Sequence, residues 1–168
     1  MSNFNLSVTG HRPNKLWGYD YNDVHYQNLQ TRFEDIVKNL LQSYDTVTMY
    51  SGMAIGVDTI FALAALHLKS EGYPVRLICA VPFVGQECRW NRQTQQLYNS
   101  IKSMADEVVV VCSGSYAPWK MQKRNEYLVD NCDELIAVWD GSSGGTGNCV
   151  SYATSKNTPM VHIVPSEV

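Results

Sequence analysis

Short apolar runs rich in β-branched residues alternate with segments of helical periodicity along the whole chain. One run is four consecutive valines at residues 108–111, an apolar pattern typical of a parallel strand covered by helices on both faces. The alternation predicts six strands, at residues 6–9, 46–50, 75–81, 107–112, 135–139 and 160–164. It predicts five helices between them, at residues 26–44, 57–71, 89–104, 120–131 and 147–156. We therefore expect one α/β domain over residues 1–168, a Rossmann-like doubly wound, mostly parallel sheet with helices on both faces.

Composition narrows the class of protein. With 168 residues, 45% of them hydrophobic and 17% charged, the chain is typical of a globular domain with one core. The sequence contains neither an apolar run of about 20 residues nor a signal-peptide pattern, so we expect a cytoplasmic protein without a membrane partner. Its five cysteines are scattered and never form a C-x-x-C motif, so we expect no disulfide framework, no metal and no cofactor.

Residues 139–148, Trp-Asp-Gly-Ser-Ser-Gly-Gly-Thr-Gly-Asn, follow a predicted strand and lead into a predicted helix. Glycines allow close backbone approach to a ligand, and a helix N-terminus presents unpaired N–H groups, so this turn is suited to phosphate. It is neither a Walker A motif nor a dinucleotide G-x-G-x-x-G motif, and a flexible surface loop is the alternative interpretation. The candidate ligand-binding residues here are Asp140, Gly144, Gly145, Thr146 and Asn148.

Gly10, His11 and Arg12 follow the first predicted strand. Arg12 offers a fork of donors suited to phosphate or carboxylate, and His11 is a candidate hydrogen-bond donor or proton carrier. The alternative is that both side chains fasten the segment over residues 14–23 to the surface.

The second predicted strand leads into a glycine-bracketed turn over residues 51–58. Backbone amides in such a turn form an anion cradle. Asp58 is interpreted either as a first-turn helix acid or as a residue that holds a ribose hydroxyl. The candidate ligand-binding residues in this turn are Ser51, Gly52, Met53, Gly56 and Asp58.

The third predicted strand is followed by a segment that combines aromatic rings, an amide and a carboxylate. Phe83 or Trp90 is a candidate for stacking on a base, and Glu87 for gripping ribose or acting as a general base. The alternative places Trp90 in the core and Glu87 at a helix N-terminus. A fourth loop, residues 113–119, is expected to add an aromatic wall. The candidate residues after the third strand are Pro82, Phe83, Gln86, Glu87 and Trp90.

Together these loops resemble the SLOG superfamily, named for the Smf/DprA and LOG proteins, and most closely its YspA/YpsA-like branch. The resemblance covers nearly the whole chain. It depends on four segments: Thr-Gly-His-Arg-Pro at residues 9–13, Ser-Gly-Met-Ala-x-Gly-x-Asp at 51–58, Pro-Phe-x-x-Gln at 82–86, and the run from Arg124 to Thr146.

LOG-type members of that superfamily are phosphoribohydrolases, which release a base from a nucleoside monophosphate with an Arg-Lys pair and a Glu. The resemblance implies that Arg124 takes the arginine role, but Asn125 stands at the lysine position and Asn148 at the glutamate position. Asparagine cannot transfer a proton at neutral pH, which weakens the hydrolase hypothesis. The other candidate catalytic carboxylates are Glu87 and Asp140.

Three functions follow from this comparison. The first is a binding module that holds a nucleotide-derived small molecule, such as a phosphate-bearing nucleotide or an ADP-ribose-type signal. The resemblance implies a sensor or sequestering role in bacterial and phage conflict. The second is an N-glycosidase or deoxyribosyltransferase acting on nucleoside monophosphates. The third is single-stranded DNA binding, as in Smf/DprA members, but the net charge of -3 disfavours a nucleic-acid partner. Related proteins are commonly dimers, so we also expect a homo-oligomer.

Overall fold

A computed structural model describes residues 2–168 as a six-stranded sheet flanked by five α-helices. The strands are β1 (Asn3–Gly10), β2 (Thr46–Ser51), β3 (Val75–Val81), β4 (Glu107–Val110), β5 (Glu134–Val138) and β6 (Met160–Ile163). The helices are α1 (Val24–Leu40), α2 (Val57–Ser70), α3 (Arg92–Met104), α4 (Pro118–Asp130) and α5 (Gly145–Ser155). Every strand pairing is parallel, which confirms the predicted α/β fold.

The strand order in the sheet is β4-β3-β2-β1-β5-β6. The chain moves outward from β1 to β4 and then returns through α4 to β5, on the other side of β1. The order therefore reverses between β1 and β5. In open parallel sheets, ligands bind outside the carboxyl ends of the strands at such a reversal.

Alternate residues of β1 face the two helical layers. Leu6 and Val8 lie in the main hydrophobic core, which also contains buried residues of α1, α2 and α3. Ser7 lies between them in sequence and points the opposite way, since its hydroxyl donates a hydrogen bond of 2.8 Å to the carbonyl of Leu128 in α4. Because both faces of β1 are covered, its residues are apolar or internally bonded on either side.

Helix-capping residues explain why three helices begin at different residues from those predicted from the sequence. The Asp23 carboxylate accepts the backbone N–H of His25, so α1 begins at Val24 rather than at residue 26. The Asn91 side chain accepts the N–H of Thr94, so α3 begins at Arg92, three residues later than predicted. Gly144, with φ 139°, caps α5, which therefore begins two residues earlier than predicted.

Gly10 allows the end of β1 to pass close to α2. A Cβ atom at this position would lie 2.5 Å from the Cβ of Val57, so the backbone of β1 or α2 would have to shift to accommodate it. The glycine thus brings the loop after β1 against the first turn of α2. Within residues 2–168, no helix combines the length and the apolar character needed to cross a membrane.

His67 of α2 joins α1 to α2, and this contact gives folding a pH dependence. Its Nδ1 lies 2.9 Å from the Glu34 carboxylate, and its Nε2 lies 3.6 Å from that of Glu71. The hydrogen bond to Glu34 is the largest cause of the raised pKa of His67, and the charge of Lys38 opposes it. A raised folded-state pKa means that the stabilisation is complete below the unfolded value of about 6.5 and is lost as pH rises through the folded value.

We expect the His67→Gln variant to be less stable than the wild type at pH 6, by about 0.2–1 kcal/mol because His67 is half exposed. This difference in free energy of unfolding should shrink as the pH rises to about 9, where His67 is neutral. Urea denaturation of both proteins across this range measures it. A stability difference that does not change with pH would contradict the assigned role of His67.

Candidate functional site

A cavity of about 330 Å³ opens at the carboxyl ends of β1 and β5, where the strand order reverses. Its walls come from the loops after β1 and β5, one face of α4, and the segment that leads from β2 into α2. Nine of the residues singled out from the sequence line it: Gly10, His11, Arg12, Asp58, Arg124, Asn125, Gly144, Gly145 and Thr146. Their separation in sequence is large, and the parallel sheet brings them together.

The first turn of α5 forms one wall. Gly144 is the N-cap, and no side chain caps this helix, so the first backbone N–H groups have no intrahelical partner. The residues Gly145, Thr146 and Gly147 of this turn all line the cavity. The positive end of the helix dipole and these N–H groups make the wall suited to an anion.

Arg12 and Lys15 supply positive charge at the exposed side of the cavity. A 3₁₀ turn over Pro13–Lys15 follows Arg12 and brings Lys15 to the glycine-rich loop. There the Lys15 ammonium donates to the hydroxyl of Ser142 at 3.0 Å and to the carbonyl of Ser143 at 3.3 Å. Lys15 thus lies beside the N-terminus of α5, and Arg12 lines the same cavity.

Arg124 and Asp58 form the buried part of the site, being 6% and 5% exposed. The Arg124 guanidinium donates from Nη1 to the carbonyl of Gly52 and from Nε to the amide oxygen of Asn125 at 3.3 Å. The Asp58 Oδ2 accepts the backbone N–H of Ala54 at 3.2 Å. Both side chains nevertheless reach the cavity wall.

Burial and mutual attraction act in opposite directions on this pair. Burial raises the pKa of Asp58, and the nearby charge of Arg124 opposes that rise. Burial likewise lowers the pKa of Arg124, and the charge of Asp58 opposes that fall. Each charge therefore stabilises the other in a poorly solvated region. With Arg12 and Lys15 included, the cavity has three permanent cations and one carboxylate among its described lining residues.

His11 lies at the cavity wall but is engaged with Asp140. Its Nε2 lies 2.8 Å from the Asp140 carboxylate, across the two loops. The Asp140 carboxylate also accepts the N–H of Ser142, and its pKa is held well below the usual range, chiefly by the bonds to Ser142. Asp140 itself does not line the cavity. Its contacts hold the loop after β5 against the loop after β1.

The remaining predicted residues of the second loop build the loop and lie outside the cavity lining. The Ser51 hydroxyl donates to the carbonyl of Asp58 at 2.8 Å and accepts the N–H of Met53 at 3.1 Å. The Met53 side chain is buried in the main core, although its backbone has φ 61°. Gly56 donates its N–H to the Tyr21 hydroxyl, and Gly52 accepts from Arg124.

The residues predicted after the third strand do not line the cavity, and packing accounts for their positions. Phe83 is buried with its ring 5.9 Å from that of Tyr116, and the Trp90 ring lies edge-on to Tyr98 at 5.2 Å. Gln86 is buried between Tyr98, whose hydroxyl donates to it at 3.2 Å, and the carbonyl of Gly52. The carbonyl of Pro82 accepts the N–H of Cys112 at 3.0 Å, which joins this loop to the segment after β4.

Neither alternative catalytic carboxylate faces the cavity. Glu87 lies on the third loop, and its Oε1 is buried without a hydrogen-bond partner among the described residues. Asn148, at the position implied for a catalytic glutamate, is exposed on α5 and is also outside the lining. Asn125, by contrast, lines the cavity and donates to the carbonyl of Gly145 at 3.3 Å, which connects α4 to the first turn of α5.

Sequence reasoning missed several lining residues, and Lys15 is the most informative of them. Lys15 reaches the cavity through the 3₁₀ turn over Pro13–Lys15, and the sequence analysis predicted no such turn. Met121 and Leu128 were also missed, although they stand three and four residues from Arg124 on one face of α4. Helical spacing would have identified both once Arg124 was chosen. The others are Val8, Thr9, Asn14, Ala54, Ser143 and Gly147.

Comparison with known proteins identifies the family to which this chain belongs. A family model described as the YspA SLOG family matches residues 6–164. The chain belongs to the YspA SLOG family. The SPbeta prophage-derived protein YoqJ of Bacillus subtilis is 31% identical over 146 residues, which are 80% of this chain and 84% of that protein. UPF0398 protein OB1025 of Oceanobacillus iheyensis is 26% identical over 167 residues, which are 97% of this chain and 90% of that one. The resemblance predicted from the motifs of this SLOG protein is confirmed.

Two solved structures share the fold of this SLOG protein. One is DNA processing protein A from Helicobacter pylori, described for its single-stranded DNA binding mode, with a TM-score of 0.64 and 17% identity. The other is DNA processing protein A from Streptococcus pneumoniae, with a TM-score of 0.66 and 15% identity. The match covers 96% and 97% of this chain but only 65% and 53% of those chains. At these identities the likeness establishes the fold alone.

The expectation that the charge balance disfavours a nucleic-acid partner is wrong. The neighbour from Helicobacter pylori is described as binding single-stranded DNA, and it has the fold found here. The expectation used the net charge of -3 for the whole SLOG protein. Local charge matters more for a phosphate backbone, and the tertiary structure gathers Arg12, Lys15 and Arg124 at one cavity.

Proposed function

We propose that this protein binds a phosphate-bearing nucleotide in the cavity between β1, β5 and α4. The observation that carries the proposal is the convergence of three cations with the uncapped N-terminus of α5 around one 330 Å³ cavity. Phosphate would lie against the first turn of α5, within reach of Arg12 and Lys15. Membership of the SLOG family and the shared fold of the DNA-processing proteins support a role related to nucleotides or DNA processing.

We further propose that the ligand is held without being cleaved, as a sensor or a sequestering protein requires. N-glycoside cleavage needs a carboxylate that activates water or stabilises an oxocarbenium-like centre. Among the described lining residues, Asp58 is the one carboxylate, and it is buried beside Arg124. Asn148 supplies no such group, while Glu87 and Asp140 lie outside the lining.

A direct test uses AMP as the probe with calorimetry and chromatography. We expect the wild type to bind AMP and to return it intact after prolonged incubation. Lys15→Ala should weaken binding roughly tenfold, because a charge-assisted hydrogen bond contributes about 1.5–3 kcal/mol and Lys15 is exposed.

The matched control for that variant is Lys123→Ala. Lys123 is an exposed lysine on α4, outside the cavity lining, and pairs with Glu126 at 3.4 Å. Its removal should leave the affinity unchanged. Equal effects of the two substitutions would mean non-specific charge attraction rather than a site. Release of free adenine would support the N-glycosidase alternative and contradict simple binding.

A further inference from the structure

We infer that the cavity recognises the pentose 5-phosphate part of its ligand and is indifferent to the base, an inference that depends on the proposed function. Two sets of polar groups in the cavity suit different parts of such a ligand, one the phosphate and the other the sugar hydroxyls. The base would lie at the mouth. This assigns the ligand a chemical class defined by its sugar and phosphate.

The phosphate set lies along the glycine-rich loop. Arg12, Lys15 and the first-turn N–H groups of α5 are all donors or cations, which complement phosphate oxygens. The Lys15 ammonium already contacts two oxygens of Ser142 and Ser143, so it is held beside this loop. A 5-phosphate would meet fixed donors rather than a mobile side chain.

Asp58 is suited to the sugar. Its Oδ2 accepts one backbone N–H, from Ala54, and its carboxylate reaches the cavity although only 5% of the residue is exposed. A carboxylate accepts several hydrogen bonds and donates none when ionised, so it pairs with hydroxyl groups. The nearby charge of the buried Arg124 favours the ionised form of this carboxylate. We assign Asp58 as an acceptor for a ribose hydroxyl.

Several other lining residues have no free group that distinguishes one base from another. Val8, Ala54 and Leu128 are buried aliphatic residues and Met121 is a thioether, so none of the four presents a strong hydrogen-bond donor or acceptor to a base. The Asn125 amide, which has both, is already bonded to Gln122 and Gly145.

The rings predicted to stack on a base are engaged elsewhere. Phe83 is buried against Tyr116, and Trp90 packs on Tyr98. The exposed Trp119 lies with Tyr127 in a separate surface groove on the face of α4 away from Arg124. Specific base recognition relies on stacking and on paired hydrogen bonds to the base edge. Phe83, Trp90 and Trp119 therefore supply no stacking surface in the cavity.

The experiment titrates the full chain with AMP, GMP, CMP, UMP and ribose 5-phosphate at one salt concentration, by calorimetry. We expect the five dissociation constants to agree within about threefold, a difference of less than 1 kcal/mol. A preference of tenfold or more for one base, or ribose 5-phosphate binding more than tenfold more weakly than all four nucleotides, overturns the inference alone. Failure of all five to bind removes the proposed function as well.

The role of Asp58 is tested by comparing AMP with 2′-deoxy-AMP. The wild type should prefer AMP by about tenfold, the value of one hydrogen bond to a charged group. Asp58→Asn should bring that ratio near one, whereas a merely structural role would weaken both ligands equally and leave the ratio unchanged. Phe83→Leu is the matched control and should leave both dissociation constants as in the wild type.

The same sugar-phosphate group occurs in a free nucleotide and at the 5′ end of a nucleic acid. Competition against AMP with a short 5′-phosphorylated oligonucleotide and its unphosphorylated twin separates the two sources. Displacement by the phosphorylated strand alone supports recognition of a terminal 5-phosphate on nucleic acid. Displacement by neither strand supports a free nucleotide. Equal displacement by both strands overturns the inference, because binding would then not depend on the terminal phosphate.

Discussion

Replacing Arg124 with methionine is expected to lower the free energy of unfolding by about 3 kcal/mol at neutral pH. The substitution removes the positive charge that stabilises the buried Asp58 carboxylate, and it removes the hydrogen bond to the Gly52 carbonyl. This value is at the low end of what the loss of one partner of a buried ion pair costs, because Asp58 also accepts the N–H of Ala54. Urea denaturation measures the change.

The pH dependence of this variant identifies the cause. Burial already raises the pKa of Asp58, and loss of Arg124 removes the main influence that opposes the rise. A carboxyl whose folded-state pKa exceeds its unfolded value makes stability fall as pH rises through that range. The deficit of Arg124→Met should therefore be smallest in mildly acidic solution and largest at neutral pH and above.

A second substitution provides the control. Asp58→Asn added to Arg124→Met removes the uncompensated carboxylate, so the double variant should recover most of the lost stability. Lys123→Met, at an exposed position of the same helix, should change the free energy of unfolding by less than about 0.5 kcal/mol. A double variant no more stable than Arg124→Met would contradict the role assigned to the Asp58 charge. AMP binding by the double variant should remain weaker than in the wild type even where stability returns, because the Asp58 carboxylate assigned to the ribose is absent.

Replacing Gly145 with aspartate is expected to weaken AMP binding roughly a hundredfold while leaving the fold as stable as the wild type or more so. Gly145 is the first residue of α5 and lines the cavity, so the new carboxylate would stand where phosphate is proposed to bind. An acidic side chain at a helix N-terminus stabilises the helix by about 0.3–1 kcal/mol. Binding and stability therefore change in opposite directions, which ordinary damage to the fold does not produce.

The structure leaves room for this change. A Cβ atom on Gly145 meets no heavy atom within 4 Å, in contrast to one on Gly10 or Gly52. Gly145→Asn has nearly the same shape without the charge, and it should weaken AMP much less than Gly145→Asp. Equal losses in the two variants would indicate obstruction rather than charge repulsion, and an unchanged dissociation constant for Gly145→Asp would place the phosphate elsewhere. Calorimetry and thermal unfolding measure both properties.

The fold followed from local patterns. Strand-like apolar runs such as residues 108–111 and the apolar stripe of α1 have periodicities that depend on the sequence within one element, so all six strands and five helices were predicted, with small shifts at their ends. The shifts at the starts of α1 and α3 came from caps such as Asn91, whose contribution depends on a single hydrogen bond. The glycine-rich turns after β1 and β5 were recognisable because positive φ and close approach favour glycine.

The homo-oligomer expected from the sequence stays a prediction, since the structure contains one chain. The expectation that a nucleic-acid partner is disfavoured was wrong for a reason that applies to any small acidic protein. Net charge is a sum over the whole surface, whereas recognition depends on which charges converge. Arg12 and Lys15 are far from Arg124 in sequence, and all three meet at one cavity in the structure.

The sequence by itself determined the order of elements, the parallel sheet and the family, because these depend on periodicity and on motifs of neighbouring residues. Only the tertiary structure decided which loops form the site. The strand order places β2 between β3 and β1, so the loop after β3, with Phe83 and Trp90, lies away from the reversal point, while the return through α4 brings Arg124 to it. Strand order and side-chain burial arise from contacts between residues distant in sequence, and local sequence patterns do not specify those contacts.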